Sequence, residues 1–550
     1  MQLDFYKQKN SVFLIIFYLV ALILVFINLQ DFGIHIEEKY HRLNGLFWLN
    51  YIAELFGLTD LQKITEIKIK DISDYTLSPV SVYNKYGVIL DLPAAFIEIV
   101  FKINDVGQIY YLKHFIGFLL FLISSFFFFR ILNNRYKSFY LSFFGLFLYL
   151  TSPRILGDSF LYKDVLFLSF FTITLFYFLE SIEKLSIKNL ILLSFFNALS
   201  FNLRIFSIFI PIFFILILVI KNFHLKKNSI IIKKIIFYFL FLIIFTYIFW
   251  PYLWEDPLNK FIQLFTSIKN DLINVKILYF NQFIQNRLVP DTFLLTWIFI
   301  SSPIFQILFF IFGYCFYIMR FGGRYLKIKK NLIYNDLWRS KGEEKDFTIF
   351  LIFTSFFFIF LLTNAPFYNG WRLIYFFNIF LIYFGINFLY ILFAFYRKSK
   401  LKRNSIVFFI ILAISYNIYA IITFHPYQSI YFNSFLSQKI ISGFEGDYYG
   451  LSAKHFFQKI SKIDNKKSIT IGVASHTPLQ RGLEAIPTNL QKKFIVVGQN
   501  YEKADYIYKN NISEVNSRLN KKYEIPINFS KIYELKVNKV KIYEIYKLKN

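Results

Sequence analysis

Cysteine is almost missing from this chain of 550 residues. The single one, Cys315, lies inside an apolar run, so there is no intramolecular disulfide and no thiolate metal site. Charge is scarce too: 17% of residues are charged, against roughly 25% in soluble domains. No HExxH, P-loop, CxxC, GxSxG or GxGxxG pattern occurs, so the usual nucleotide, zinc and hydrolase signatures are absent. Internal repeats and low-complexity linkers are lacking as well. What remains is apolar: 56% of residues are hydrophobic, 22% are aromatic and the mean hydropathy is +0.48. Several runs of about 18 or more residues carry almost no charge, which predicts a polytopic α-helical membrane protein. The net charge of +27 comes from Lys and Arg in short blocks between apolar runs. That pattern orients a membrane protein. No basic groove interleaved with aromatics is visible, so no nucleic-acid partner is expected.

Apolar runs that can span fall near 11–29, 113–132, 139–153, 164–181, 190–203, 205–220, 235–250, 293–319, 347–363, 372–396 and 405–424. That makes about eleven helices. The first run has no small-residue cleavage site after it and reads as a retained anchor. Arg204, in SFNLRIFSIFIP, marks a tight turn between two shortish helices. Basic clusters at Lys7/Lys9, Arg130–Lys137, Lys184–Lys188, Lys221–Lys234, Arg320–Lys345 and Arg397–Arg403 share one side if the helices alternate from a cytoplasmic N-terminus. The loops near 30–112, 152–163, 204, 251–292 and 364–371, and everything after Phe424, then face outward. In the first loop, VILDLPAAFIEIVFKI within 83–105 is broken by Asp91 and Pro93, and reads as an interfacial or re-entrant helix. Residues 1–424 form the membrane domain. Residues 425–550 form an extracytoplasmic one, in which SITIGVA, KKFIVVG, ADYIYKN and a final hairpin suggest a small α/β or α+β fold.

Charges at the membrane edge are costly to desolvate and so point to a site. Glu37 and Glu38, with Arg42 and two histidines beside them, follow the first span directly. SPRILGDSFLYKDVLF brings Arg154, Asp158, Lys163 and Asp164 into the next outer loop. Asp164 also suits a plain helix N-terminus, whereas Arg154 and Lys163 suit a phosphate. WPYLWEDPLNKF reads as interfacial anchoring. NAPFYNGWRLIYF opens a span with Arg372 and Tyr375, where an arginine can either snorkel or grip a lipid phosphate. His425, in FHPYQSIYFNSF, has no second histidine at a metal-ligand spacing.

The acidic pair, RILGDSFLYKD, WPYLWEDP, YNGWR, HPYQSIYFN and GDYYGLS occur in this order. Together they resemble the bacterial glycosyltransferase family 39 type, in the dolichyl-phosphate-mannose-protein mannosyltransferase superfamily with the GT-C fold, over about residues 30–510. Two departures matter: the family usually has Asp-Glu where this chain has Glu37-Glu38, and Leu373 replaces a histidine. The resemblance implies transfer of a sugar from a polyprenyl-phosphate donor to a glycan, lipid or protein acceptor, at the outer face of a bacterial inner membrane. In that scheme Glu37 is the base and Glu38 orients it or contacts the sugar. Arg154, Lys163, Arg204 and above all Arg372 stabilise the leaving phosphate. Asp158 and Asp164 position sugar hydroxyls or restrain the cations, and Arg42, Tyr375 and His425 complete the set of substrate-binding candidates. No cofactor is expected. Two carboxylates without a clear third ligand favour a metal-independent reaction. The rivals are a transporter or flippase, which would show repeats and midplane polar residues, a non-catalytic scaffold, and an oligosaccharide ligase or phosphoethanolamine-type transferase.

Overall fold

The computed structural model describes residues 2–72, 85–161, 163–222, 228–270, 275–325, 337–363, 367–477, 479–510, 512 and 519–549. Tyr162, residues 364–366, residues 83–84 and parts of the basic stretches 221–234 and 320–345 lie outside the described residues.

Long runs of Phe, Ile and Leu become helices. In chain order these are α1 (Gln2–Asn28), α2 (Glu38–Leu55), α3 (Thr59–Asp71), α4 (Asp91–Val100), α5 (Val106–Tyr136), α6 (Phe139–Thr151), α7 (Pro153–Asp158), α8 (Asp164–Glu183), α9 (Ile187–Leu203), α10 (Phe209–Asn222) and α11 (Asn228–Phe249). They are followed by α12 (Pro257–Asn270), α13 (Phe293–Ser301), α14 (Ile304–Tyr325), α15 (Lys341–Leu362), α16 (Phe377–Phe395) and α17 (Lys400–Phe424). Among the described residues, eight helices are long and apolar enough to cross a membrane: those built on α1, α5, α8, α11 and α14 to α17. The other three expected spans form shorter apolar helices, Phe139–Thr151, Ile187–Leu203 and Ile205–Lys221. At about 1.5 Å per residue, the shortest reaches only about 20 Å. The expected run 293–319 is split, because Pro303 forces Ser302 into an extended conformation and ends α13 there.

The helices alternate in direction, and ion pairs show which ends meet. At one end Arg135 makes two bonds to Asp346 (2.7 and 2.6 Å), Lys345 reaches Glu183 (2.8 Å) and Lys221 reaches Glu344 (2.7 Å). These tie the C-termini of α5, α8 and α10 to the start of α15. At the other end Asn378 donates to Ser152 (3.3 Å) and Asn417 to Thr151 (3.1 Å), so the end of α6 meets the start of α16 and the last part of α17. α14 packs closely on α16 because Gly313 has no side chain; a Cβ there would sit 2.0 Å from the Phe384 carbonyl oxygen. The outer faces of α1 (Ile15, Ile16, Leu19), α11 (Ile236, Ile243) and α17 (Phe408, Ile411) remain exposed. Apolar surface of that extent fits lipid, not water.

A short hairpin, β1 (Lys276–Tyr279) and β2 (Gln282–Gln285), was not foreseen; its two turn residues, Phe280 and Asn281, take positive φ. The C-terminal region holds β3 (Ile469–Val473), β4 (Phe494–Gly498), β5 (Tyr506–Asn510), β6 (Phe529–Val537) and β7 (Val540–Leu548) in the order β4-β3-β5-β7-β6. β3 is parallel to β4 and β5, and β7 is antiparallel to β5 and β6. These strands fall on the segments expected to form them. The helix Ala453–Ile463 buries Phe456, Phe457 and Ile460. This region meets the first loop and the start of α5 at the same end of the bundle: Ile36 N–H donates to the Tyr449 carbonyl (3.3 Å), and Lys454 to the Tyr111 hydroxyl (2.7 Å).

Candidate functional site

At that end, four stretches of chain converge on one pocket, bringing His35, Glu37, Glu38 and His41 against Asp158, Lys163 and Asp164, Arg372, and Tyr449. The first segment enters α2. Glu38, 1% exposed, accepts from the His35 backbone N–H (2.7 Å) and lies 2.9 Å from His114 Nε2 through both oxygens. Both of its oxygens are thus engaged in holding the start of α2. The Glu37 N–H donates to His35 Nδ1 (2.9 Å), which leaves the Glu37 side chain, 35% exposed, turned to the pocket.

Arg372 meets it there. It lies on a 3-10 turn, Arg372–Ile374, just ahead of α16. The turn follows Gly370, whose φ of +76° suits glycine. Arg372 Nη2 donates to Glu37 Oε1 (3.2 Å) and its Nε lies 3.9 Å from Asp164 Oδ2. Asp164 opens α8 and also pairs with Arg204, which caps the C-terminus of α9. Lys163, at φ +62°, carries its ammonium over the Tyr86 ring, 3.0 Å from the centroid. On the wall, Asp158 accepts from the Tyr375 hydroxyl (2.5 Å). His41 Nδ1 lies 3.4 Å from Asp91, which also accepts from Asn44 (3.0 Å).

The electrostatics are set by burial and by these pairs. Burial resists the Glu37 charge, but Arg372, with His35, His41 and Lys163, outweighs it and holds the carboxyl well below its usual range. Burial likewise opposes the Glu38 charge, and His114 overrides it. Burial pushes His35 down to about 4, so it is neutral at physiological pH. Burial, then the neighbouring Arg204, pushes Lys163 down to about 7. Burial raises Asp158 to about 7 against the opposing Tyr375 hydrogen bond and Arg154. Lys163 and Asp158 therefore change charge near neutral pH, while Glu37 and Arg372 stay ionised.

Six of the residues singled out in the sequence line this pocket: Glu37, Glu38, Asp158, Lys163, Asp164 and Arg372. Arg204 and Tyr375 stand behind them, holding Asp164 and Asp158. Three others lie elsewhere. Arg42 forms a two-bond pair with Glu98 (2.9 and 2.7 Å), which fixes α4 on α2. Arg154 is stacked by Trp297 and Phe432 and donates to the Tyr431 carbonyl (3.0 Å). His425 pairs with Asp31 (2.9 Å). Partners from distant segments draw all three away from the pocket, buried ones for Arg42 and Arg154 and the exposed Asp31 for His425. Conversely, His35, His41 and Tyr449 line the pocket without having been selected. His41 stands four residues after Glu37, the spacing of one helix face, and Tyr449 sits within GDYYGLS; those were the available signals. Among the described residues, no group of three or more His, Cys, Asp or Glu side chains is placed to hold a metal ion.

No protein-family model matches the sequence, and no curated protein matches it. Among solved structures, the chain is similar to the apo crystal structure of the Archaeoglobus fulgidus oligosaccharyltransferase. The TM-score is 0.46 at 10% identity over 87% of this chain. This chain spans 66% of that protein's length.

Proposed function

We propose that this protein is a membrane glycosyltransferase that moves a sugar from a polyprenyl-phosphate donor to a lipid, glycan or protein acceptor. One observation carries the reading: a carboxylate, Glu37, and cations from separate loops, Arg372 and Lys163, face one pocket at one end of the helix bundle. An acceptor hydroxyl attacks the anomeric carbon, Glu37 takes its proton, and the bond from that carbon to the phosphate oxygen breaks. The phosphate leaves with the bonding pair, and Arg372 and Lys163 stabilise its charge. Arg372, paired with Glu37, neutralises it and keeps it a poor base. A phosphate that draws the guanidinium away restores that basicity. Glu38 braces α2. Arg372 also bridges Glu37 and Asp164, which supports a metal-independent reaction. A mainly apolar groove lined by Phe293, Leu294, Phe357, Phe360 and Phe367, with Asp291 among them, is the path we assign to the lipid tail, and Phe367 adjoins Tyr368, whose ring contacts Arg372.

The basic end of the bundle belongs in the cytoplasm by the positive-inside rule, which puts the pocket and the C-terminal sheet outside. Counting the three shorter apolar helices as crossings gives eleven. The test is binding of decaprenyl phosphate to the purified full-length protein, followed by native mass spectrometry. Arg372→Ala removes charge-assisted bonds of about 1.5–3 kcal/mol, so affinity should fall roughly 10- to 150-fold. Equal binding by wild type and variant would remove Arg372 from the phosphate site.

A further inference from the structure

The loop that leads into the helix Ala453–Ile463 turns on a buried acid. Asp447, fully buried, accepts the Leu451 N–H at Oδ1 (2.9 Å). At Oδ2 it accepts the Ser452 N–H (3.1 Å) and the Ser452 hydroxyl (2.5 Å). The Ser452 hydroxyl lies 2.7 Å from that of Tyr508 on β5, and Asn510 donates to the Asp447 carbonyl (3.0 Å). Gly450, at φ +72°, turns the chain against Thr477, whose side chain a Cβ would strike at 2.2 Å. The loop is thereby fixed to the sheet on one side.

On its other side the loop reaches the pocket. The Tyr449 carbonyl accepts the Ile36 N–H (3.3 Å), its ring centroid is 4.2 Å from that of His35, and the ring lines the pocket. The guanidinium carbon of Arg372 stands 5.4 Å from the Tyr449 ring centroid, 5.7 Å from that of Tyr448 and 5.5 Å from that of Tyr368. Rings around a guanidinium hold the cation while its N–H groups remain available to oxygen ligands.

We propose that the C-terminal sheet is a working part of the site: Asp447 pegs a loop whose Tyr448 and Tyr449 clamp Arg372 and so set its grip on the donor phosphate. The last clause rests on the reading of the pocket as a donor-phosphate site; the clamp itself does not. Tyr449 shapes the site through Arg372, and Asp447 is a positioning residue acting through the loop.

Two readouts on the full-length protein separate these claims. One is the dissociation constant for decaprenyl phosphate. The other is the rate at which phenylglyoxal modifies Arg372, followed by peptide mass mapping, which needs no ligand. Tyr449→Ala should weaken binding about tenfold and speed modification by a similar factor, and Tyr449→Phe, which keeps the ring, should restore most of both. Ser452→Ala, a milder cut than Asp447→Asn if the latter does not fold, should shift both readouts in the same direction. The Ser452→Ala/Tyr449→Ala double variant should be no worse than the more affected single, since one acts through the other. Wild-type binding with neither readout changed by Tyr449→Ala, or additive losses in the double variant, would overturn the proposal. Faster modification in the variants without any wild-type binding of the probe would keep the clamp and remove the donor reading.

Discussion

Lipid-phosphate affinity should fall as pH rises from 7 to 9, and Lys163 should be the reason. Its ammonium is held half-buried over Tyr86 with Arg204 nearby, and before a phosphate binds it loses its proton at about 7 instead of 10.5. Without bound phosphate the folded protein thus holds a neutral lysine above that pH. An anionic phosphate about 4 Å away favours the ammonium by about 4 kcal/mol at an effective dielectric near 20. That is about three pK units, enough to return the lysine to about 10 in the complex. Binding between these two values must therefore take up a proton, and the dissociation constant rises nearly tenfold per pH unit, or about 50-fold from pH 7 to 9. The probe itself does not confuse the result, because a phosphate monoester has its second pKa near 6. The assay is a pH titration of decaprenyl phosphate binding. Lys163→Arg stays charged throughout and should lose most of the slope, keeping only the smaller fall that Asp158 adds as it gains its negative charge over the same range. A flat wild-type profile, or the wild-type slope surviving in Lys163→Arg, would refute the reasoning.

Asp158 gives a prediction of the opposite kind. Its folded pKa, raised from 3.8 to about 7 by burial, means that the folded state keeps a proton the unfolded chain has lost, so stability falls as pH rises through that window and stays reduced above it. Asp158→Asn keeps an oxygen for the Tyr375 hydroxyl and should raise the apparent melting temperature at pH 8, by an amount equivalent to a few kcal/mol, while matching wild type near pH 4. An equal shift at both pH values would show that desolvation of the carboxylate is not the cause.

The helical frame was legible because its signal is local. Each expected apolar run is helical, the run 293–319 as two helices instead of one, and the strands of the C-terminal sheet fall on its β-rich segments. The break at Pro303 was also written in the sequence, though a hydropathy window hides it. The site was half legible. Glu37, Lys163, Asp164 and Arg372 declared themselves as charges beside apolar runs. Long-range pairing was not available to local reading: Arg42 finds Glu98 56 residues away, Arg154 finds the Tyr431 carbonyl 277 residues away, and His425 finds Asp31 394 residues away. Nor could spacing separate Glu37 from Glu38. His114, on α5, makes that distinction by engaging Glu38 and leaving Glu37 to the pocket.

The central claim is that Glu37 performs sugar transfer. Cells lacking the protein can be supplied with wild type or with Glu37→Gln, which keeps the side chain's size and removes its basicity. Mass spectrometry of their envelope glycans and glycolipids then reads out the chemistry directly. The account predicts that one hexose or pentose is missing from the same molecule in the deletion and in Glu37→Gln, and that wild type restores it, with equal amounts of both proteins in the membrane. Full restoration of that sugar by Glu37→Gln would contradict it.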